Sequence, residues 1–452
     1  MGYKIYLEVA KVSISTANQL IDILVAENNR GSGKEANGVK SKTIDEAVTA
    51  LTRDSKGWEP IKKTPAGETI ELTYKFRPGD GTNTVQLNSD AQALYKLQLA
   101  RVADVADIKF TEYTGSGNGD LNVQVAPNRG SVGGSSYPSA NGAGTDYKYQ
   151  ETITGSSYGQ NIYIHEIGHS LGLAHPGNYN FGGPAASLTY LEDNLDYSVM
   201  SYNGGESKVA SYGLQIDDIA ALQALYGVNE KTRDDDSAYG FNSNTKDTQF
   251  HIAAGNIKLD APFTIWDGGG KDTLDFSGFA QDQRIDMHDG ALSDVGGMKN
   301  GVGIANNVII ENVISGSGND IIIGNEVAND IQGGAGDDVI YGAGEADFLF
   351  GGSGSDIFVY RDIADSTVDA SDRILDFTSG QDRIDVTQIL KSIGEGAGLK
   401  FGDAFTGQVG DTVLSYNSAN NETTLAVDFS GQGVADFNIE IVGRIAVSDV
   451  VV

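Results

Sequence analysis

The spacing of apolar residues predicts helices mixed with strands along the first half of the chain. Helical periodicity is found in residues 17–27, 44–52, 89–106 and 217–227. Alternation typical of strands is found in residues 71–79, 107–114 and 120–127. This mixture predicts one α+β domain over residues 1–235, in which the residues before Ala17 form a propeptide or a tail.

The pattern changes after residue 233, where short β-branched runs alternate with Gly, Asn and Asp. Residues 315–359 repeat with a period of nine, and a six-residue turn followed by a three-residue strand would direct every eighth side chain into a common core. The sequence therefore predicts an all-β parallel roll over residues 236–452. The eighth positions are Ile322, Ile331, Ile340, Leu349 and Phe358.

The sixth position of each repeat predicts calcium binding along the turns. Carboxylates at this position would align, and glycines would free carbonyl oxygens for a hard cation such as Ca²⁺. Without the ion, the stacked carboxylates would repel one another. Val327 and Glu345 replace the fourth-position glycine in the second and fourth repeats. The sixth positions are Asp320, Asn329, Asp338, Asp347 and Asp356, and an outlying copy at 267–275 adds Asp272.

Composition narrows the classes of partner. The formal net charge of −31 disfavours nucleic acid and anionic membranes, and the absence of Cys excludes disulfides and thiolate metal sites. No apolar run is long enough to span a membrane. The N-terminus also lacks the apolar core of a Sec-type signal peptide.

The stretch "IYIHEIGHSLGLAHP" (162–176) holds three of the five histidines. His165 and His169 would share one face of a helix, and Glu166 between them could reach a metal-bound water. Gly172 would end the helix with a positive φ and bring His175 to the same metal. Three His ligands leave a coordination position open, which is typical of a catalytic zinc site.

A second motif, "DYSVMSY" (196–202), has the spacing of a Met-turn, with Met200 placed 25 residues after His175. With the extended HExxHxxGxxH motif, the chain resembles the metzincin metalloproteases. The proline after the third histidine and the "SVMSY" turn are similar to the serralysin family specifically. The resemblance implies one zinc ion held by His165, His169, His175 and Tyr202, with Glu166 as the catalytic acid/base.

The resemblance also implies a metzincin protease domain, with a mixed sheet and an active-site helix, followed by the β-roll. It implies several structural calcium ions as well. The calcium positions, carried over by residue, are Arg233, Asp235, Ser237, Asp267, Gly269, Gly270, Asp272, Glu311, Gly316, Gly318, Asp320, Asn325, Asn329, Gly333, Gly334, Ala335, Gly336, Asp338, Gly342, Gly344, Asp347, Gly351, Gly352, Gly354, Asp356, Asp365 and Asp372.

The function favoured by these motifs is a secreted zinc endopeptidase that hydrolyses protein or peptide substrates with broad specificity. Tyr202 would stabilise the oxyanion, and residues 133–139 would form a sheet edge for the substrate. A calcium-dependent adhesin or scaffold with an inert zinc domain is the alternative, which the intact Glu166 disfavours. A type I-secreted lipase or toxin with the same repeats is a third alternative.

The implied partners and location follow from the same resemblance. The terminal "SDVVV" is similar to the family's uncleaved C-terminal signal, so we expect type I secretion machinery to carry an extracellular monomer. A proteinaceous protease inhibitor is a further implied partner. Low Ca²⁺ inside the cell would keep the roll unfolded until export.

Overall fold

The structure is a computed structural model that describes residues 14–53, 55–65, 67–148, 156–177, 179 and 188–452. Its α-helices are α1 (Ile14–Asn28), α2 (Ile44–Thr52), α3 (Glu59–Lys62), α4 (Ser89–Val105), α5 (Ser157–Ser170), α6 (Ile216–Tyr226) and α7 (Thr387–Ile393). Strands up to the boundary near residue 233 are β1 (Glu35–Ala36), β2 (Val39–Lys40), β3 (Ile70–Phe76), β4 (Ile108–Glu112), β5 (Leu121–Val125), β6 (Gly133–Ser135) and β7 (Ala143–Tyr147).

The strands of the second half are short and more numerous. They are β8 (Ala238–Gly240), β9 (Phe263–Ile265), β10 (Thr273–Asp275), β11 (Arg284–Asp286), β12 (Leu292–Val295), β13 (Met298–Ile304), β14 (Asn312–Ile314), β15 (Ile321–Ile323), β16 (Asp330–Ala335), β17 (Val339–Tyr341), β18 (Phe348–Ser353), β19 (Ile357–Val359), β20 (Asp372–Ile374), β21 (Arg383–Asp385), β22 (Lys400–Gly402), β23 (Asp411–Asn417), β24 (Glu422–Asp428), β25 (Phe437–Val442) and β26 (Val450–Val451).

Local signals explain where the helices begin. Helix α2 starts at a capping box between Thr43 and Glu46, and α4 starts at Asn88, whose side chain accepts a hydrogen bond from Ala91 N at 2.9 Å. The helices predicted from periodicity in the first half are confirmed, with ends shifted by at most three residues. The predicted strands are confirmed as β3, β4 and β5.

The N-terminal sheet has the strand order β4-β3-β5-β7-β6. Its described strands pair in parallel except β6, which runs antiparallel to β7 and leaves its other side as a free edge. Helices α4 and α5 pack together, and α5 also packs on β6 and β7. The rings of Tyr147 and Tyr163 stack with centroids 4.1 Å apart, which fixes α5 against β7. The sheet edge therefore lies beside the helix that carries the histidine motif.

The second half is a parallel β-roll, as predicted. Consecutive strands alternate between two sheets, so parallel neighbours such as Ile322 and Ile340 are 18 residues apart. The eighth-position side chains Ile322, Ile331, Ile340, Leu349 and Phe358 are all buried. The antiparallel strands β23, β24 and β25 extend one sheet, and they lie outside the repeats from which the roll was predicted.

Helix α1 packs on the roll rather than on the N-terminal sheet. Its buried face meets side chains from β15, β17 and β19 in an apolar cluster separate from the main core. Among the described residues, no helix combines the length and the apolar character needed to cross a bilayer.

Candidate metal centre

The metal centre is built on helix α5, which begins at Ser156, whose hydroxyl accepts from Gly159 N at 3.0 Å. His165 and His169 lie one turn apart on the buried face. Gly172 follows the helix with φ +106°, and a Cβ atom there would meet Ser55 Oγ at 2.6 Å. The tight turn, which only glycine accommodates, brings His175 back to the other two rings, as the sequence predicted.

Backbone carbonyls fix the orientation of the three imidazole rings. The Nδ1 atoms of His165, His169 and His175 lie 2.7, 2.7 and 2.8 Å from the carbonyl oxygens of Val199, Leu173 and Tyr179. A carbonyl oxygen only accepts hydrogen bonds, so each Nδ1 carries the proton. Each Nε2 therefore presents its lone pair.

The ring nitrogens fit a zinc ion. One nitrogen from each histidine lies within 4.8 Å of the others, and the Nε2 atoms of His169 and His175 are 3.1 Å apart. Tetrahedral Zn–N bonds would place two nitrogens about 3.4 Å apart, close to this spacing. Burial lowers the pKa of His165 to about 4 and lowers the pKa of His169 and His175, so the neutral imidazoles that bind zinc prevail.

The predicted Met-turn lies under the histidines. Met200 is fully buried, and its Sδ packs so close to α5 that a Cβ atom on Gly168 would meet it at 2.6 Å. Asp218, at the start of α6, anchors the turn by accepting from Ser198 Oγ at 2.6 Å and from Val199 N at 2.8 Å. Since Val199 O accepts from His165, the buried carboxylate supports a candidate zinc ligand through one residue.

The side chain of Glu166 extends from α5 toward the edge strand β6. Burial raises the pKa of Glu166 to about 7, and Oε2 is a buried oxygen with no hydrogen-bond partner among the described residues. A Cβ atom at Gly133 would meet Glu166 Oε1 at 2.4 Å. Glycine in β6 therefore provides the space that the carboxylate occupies.

A row of hydroxyl groups ties the edge strand to α5. Ser135 Oγ donates to Thr145 Oγ1 at 2.9 Å, Thr145 Oγ1 lies 2.8 Å from Ser170 Oγ, and Ser170 Oγ donates to Glu166 O at 3.1 Å. Because Ser170 gives its proton to a carbonyl, Thr145 must donate to Ser170. The row links β6, β7 and α5 beside the candidate base.

Tyr202 lies beside the histidine cluster and is 43% exposed. Its ring centroid is 5.6 Å from that of His165 and 4.4 Å from that of His175. Burial raises the pKa of Tyr202 to about 12, so the phenol is protonated at neutral pH and can donate a hydrogen bond. The structure thus brings the residues predicted for zinc and catalysis close together.

The turns of the roll present the sixth-position carboxylates in a recurring arrangement. Oδ1 of Asp338 accepts from Asp320 N at 2.7 Å, and Oδ1 of Asp356 accepts from Asp338 N at 3.0 Å. Burial raises the pKa of Asp338 to about 8 and that of Asp356 to about 7. Buried Oδ2 atoms without a hydrogen-bond partner among the described residues occur on Asp272, Asp338, Asp347, Asp356 and Asp372.

Glycine backbones complete these turns. A Cβ atom on Gly352 would meet Gly334 O, and one on Gly354 would meet Gly336 O, each at 1.8 Å. Stacked carbonyls beside free carboxylate oxygens are the ligand set that Ca²⁺ prefers. Asp320 differs because its Oδ2 accepts from Ser315 Oγ and Gly316 N.

The second repeat and the boundary loop differ from these turns. Asn325 Nδ2 donates to Met287 O and Ile310 O, and Asn329 Oδ1 accepts from Asn325 N. In the boundary loop, Arg233 forms an ion pair with Asp104 at 2.7 Å. Only backbone oxygen of Arg233 could face a cation.

Several residues that support the centre could not be recognised from the sequence. Asp218 lies in the acidic first turn of α6, a pattern equally typical of ordinary helix capping. Arg53 donates to the carbonyls of His175 and Gly177, and Tyr179 OH donates to Asp193 Oδ1 at 2.6 Å. Their roles depend on partners distant in sequence, which no local pattern reveals.

Comparison with known proteins agrees with this geometry. Residues 228–452 match the family described as Peptidase M10 serralysin C terminal, and residues 80–229 match Metallo-peptidase family M12B Reprolysin-like. The chain is 45% identical to Metallopeptidase AprA of Pseudomonas marginalis over 98% of both chains. It is 44% identical to Metalloprotease AprA of Pseudomonas entomophila, over 97% and 96% of the two chains. It is 42% identical to Serralysin C of Dickeya chrysanthemi, over 96% and 94%.

The fold and the histidine cluster define a zinc metallopeptidase of the metzincin class. The identity to relatives over almost the whole chain establishes the family as well: the chain belongs to the serralysin family of metalloproteases.

Proposed function

We propose that this metallopeptidase is a secreted endopeptidase of broad specificity in which Glu166 is the general base. The observation that carries the proposal is the position of Glu166, buried beside three imidazoles whose Nε2 lone pairs converge. His165, His169 and His175 would hold the zinc ion, with Tyr202 beside them. The protease domain would cover residues 1–235 and the calcium roll residues 236–452.

The chain's own groups divide the steps of peptide hydrolysis. A bound zinc ion supplies Lewis acidity, which lowers the pKa of water and polarises the scissile carbonyl. Glu166 accepts a proton from the attacking water and later delivers it to the nitrogen of the leaving amine. The Tyr202 hydroxyl donates to the carbonyl oxygen as negative charge develops there.

The edge strand β6 would hold the substrate. Ser136 N donates to Gly144 O and Lys148 N donates to Val132 O, so alternate residues of this strand are used in pairing with β7. The intervening Gly133 and Ser135 direct their backbone groups away from β7. Gly133 O already accepts from Ser131 Oγ at 2.7 Å and from Arg129 Nε at 3.2 Å, so a substrate would pair mainly with Ser135. An extended peptide added there would be bound mainly through its main chain, which favours broad specificity. A peptide-library profile with one obligatory residue would contradict this model.

The test is replacement of the base. Glu166→Ala should keep zinc, because Glu166 supplies no ligand, but lose about 10³-fold or more in kcat for a peptide substrate. Glu59→Ala, at an exposed position of α3, is the matched control and should behave as wild type. Near-wild-type kcat in Glu166→Ala with bound zinc would rule out the proposed base.

We extend the proposal to calcium and export. Asp272, Asp338, Asp347, Asp356 and Asp372 would each give a free Oδ2 to calcium. The remaining predicted calcium residues, including Asn325 and Arg233, belong to the same proposal. Protein substrates and the type I exporter would be the partners.

The segment that we propose as the C-terminal signal belongs to the roll. Asp449 is buried, its carboxylate accepts from Ala446 N and Gly380 N, and β26 pairs with β21. A folded roll would bury Asp449 and Val450, so export is expected to precede folding. Deletion of residues 449–452 should abolish secretion, and unchanged secretion would contradict this part of the proposal.

A further inference from the structure

Helix α1 is held in place by the roll. Ala17, Leu20, Ile21 and Leu24 are buried there, and Asn18 Nδ2 donates to Asp385 Oδ2 at 2.9 Å inside the interface. The roll contributes the outward-facing side chains of its nine-stranded sheet, namely Ile321, Ile323, Val339, Ile357 and Val359. The position of α1 therefore depends on a folded roll.

The chain leaves α1 directly into a buried ion pair. Arg30 Nη1 and Nη2 donate to Asp217 Oδ1 and Oδ2 at 2.6 and 3.1 Å, and the two side chains are 6% and 0% exposed. Arg30 Nε donates to Lys42 O at 3.2 Å, and its Cζ lies 4.9 Å from the ring centroid of Tyr197. All three nitrogens of the guanidinium donate a hydrogen bond, which restricts its position.

The acceptor of this ion pair adjoins the Met-turn. Asp217 N donates to Tyr197 O at 2.9 Å, and the next residue, Asp218, accepts from Val199 N at 2.8 Å. Val199 O in turn accepts from Nδ1 of His165 at 2.7 Å. A continuous path of hydrogen bonds and packed backbone thus runs from the end of α1 to a zinc-binding imidazole.

We propose that Arg30 is a positioning residue that transmits the docking of α1 on the β-roll to the Met-turn beneath the zinc-binding histidines. The inference rests on the proposed zinc function. It adds that the folded roll orders the catalytic centre through a specific ion pair. Calcium that folds the roll would then slow the loss of zinc from a centre that contains no calcium ligand.

The test compares two buried ion pairs in the full-length, zinc- and calcium-loaded protein. Arg101 donates bidentately to Asp247 at 2.8 and 3.0 Å, and the side chains are 4% and 10% exposed. This pair joins α4 to the roll, and Arg101 Nη1 also donates to Gln160 Oε1 in the first turn of α5 at 3.0 Å and to Tyr212 O at 2.6 Å. None of these hydrogen bonds reaches the described Met-turn. Arg30→Met and Arg101→Met therefore each remove a buried bidentate ion pair, and only the Arg30 pair is connected to the Met-turn and so to the carbonyl oxygen of Val199 that accepts from His165.

The readouts are Tm, the rate of zinc transfer to a chromogenic chelator, kcat and KM. Both variants should lower Tm. Arg30→Met should in addition release zinc about tenfold faster, because outer-shell support of a metal ligand typically changes metal affinity by 10- to 100-fold. Its kcat should fall while KM changes little, and Arg30→Lys should restore part of the slow release.

Equal zinc-release rates in the two variants, compared at the same interval below their Tm, would overturn the inference and leave Arg30 purely structural. If Arg30→Met does not fold, the zinc-release rates of Arg30→Lys and Arg101→Lys are compared instead. His169→Ala tests the zinc centre separately from the role of Arg30. If His169→Ala keeps zinc, the proposed zinc centre is wrong. If His169→Ala loses zinc but Arg30→Met releases zinc no faster than Arg101→Met, only the role of Arg30 is contradicted.

A double-mutant cycle locates the coupling. Ile21→Ala, in the docked face of α1, should accelerate zinc release in the presence of Arg30 but have no further effect in the Arg30→Met background. Additive effects of the two substitutions would contradict transmission through the ion pair.

Discussion

At the scale of single residues, three positions around the metal centre are packed so closely by neighbouring atoms that they require glycine. Gly133 gives Glu166 its space, Gly168 lets Met200 reach the underside of α5, and Gly172 turns the chain toward His175. Each contact would fall below 3.0 Å if a Cβ atom were present. The catalytic motif therefore depends on glycines as much as on the residues that carry its chemistry.

Tyr202 is expected to act mainly in the transition state. Its protonated phenol lies beside the imidazoles of His165 and His175, so Tyr202→Phe should lower kcat by about 10- to 100-fold and change KM less. Steady-state kinetics with one peptide substrate measures both constants. Tyr158→Phe, at an exposed position in the first turn of α5, is the control. An unchanged kcat in Tyr202→Phe would assign the ring to packing.

At the scale of secondary-structure elements, the sequence predicted what depends on local periodicity. The helix with His165 and His169, and the repeats with Ile322 and Ile340, follow rules that operate within a few residues. Periodicity also predicted α1 but could not identify its partner, since its apolar face meets strands about 300 residues away in sequence. The contact between Arg30 and Asp217 was hidden for the same reason, because 187 residues separate the two.

The hydroxyl row between β6, β7 and α5 gives a test at this scale. Thr145→Val keeps the shape of the side chain but removes the hydroxyl that joins Ser135 to Ser170, so the free energy of unfolding should fall by about 1–3 kcal/mol. The value of kcat/KM should fall as well, because the edge strand loses its register against Glu166. Denaturant unfolding and peptide kinetics measure the two effects.

Thr145→Ser is the matched control for the row, because it keeps the hydroxyl and removes one methyl group. It should preserve most of kcat/KM. If Thr145→Val were as stable and as active as the wild type, the row would have no role in holding the edge strand.

At the scale of the whole molecule, negatively charged side chains are buried in the turns of the roll, where a bound cation would neutralise them. The net charge is −31, yet the sixth-position carboxylates of the roll lie buried within its turns. Burying a charge without a partner is costly, so these groups either bind cations or take up protons. The stability of the calcium-free roll must then depend on pH in a defined direction.

In calcium-free protein, lowering the pH is expected to stabilise the roll. Burial raises the pKa of Asp338 to about 8 and that of Asp356 to about 7, whereas an unfolded Asp titrates near about 3.9. Such groups bind more protons in the folded state, so their stabilisation is present at low pH and is lost as the pH rises through about 7 to 8. Chelated protein should therefore show a higher Tm for the roll at pH 5 than at pH 8.

Saturating calcium should reverse this dependence, because binding requires the ionised carboxylates and is weakened by protons. Asp338→Asn isolates the contribution of one turn, since the side-chain amide of asparagine does not titrate between pH 5 and pH 8. That variant should flatten the pH dependence of the chelated protein relative to wild type, followed by circular dichroism at each pH. A Tm of the chelated wild type that rises from pH 5 to pH 8 would show that the turn carboxylates are not the groups that make the roll depend on calcium.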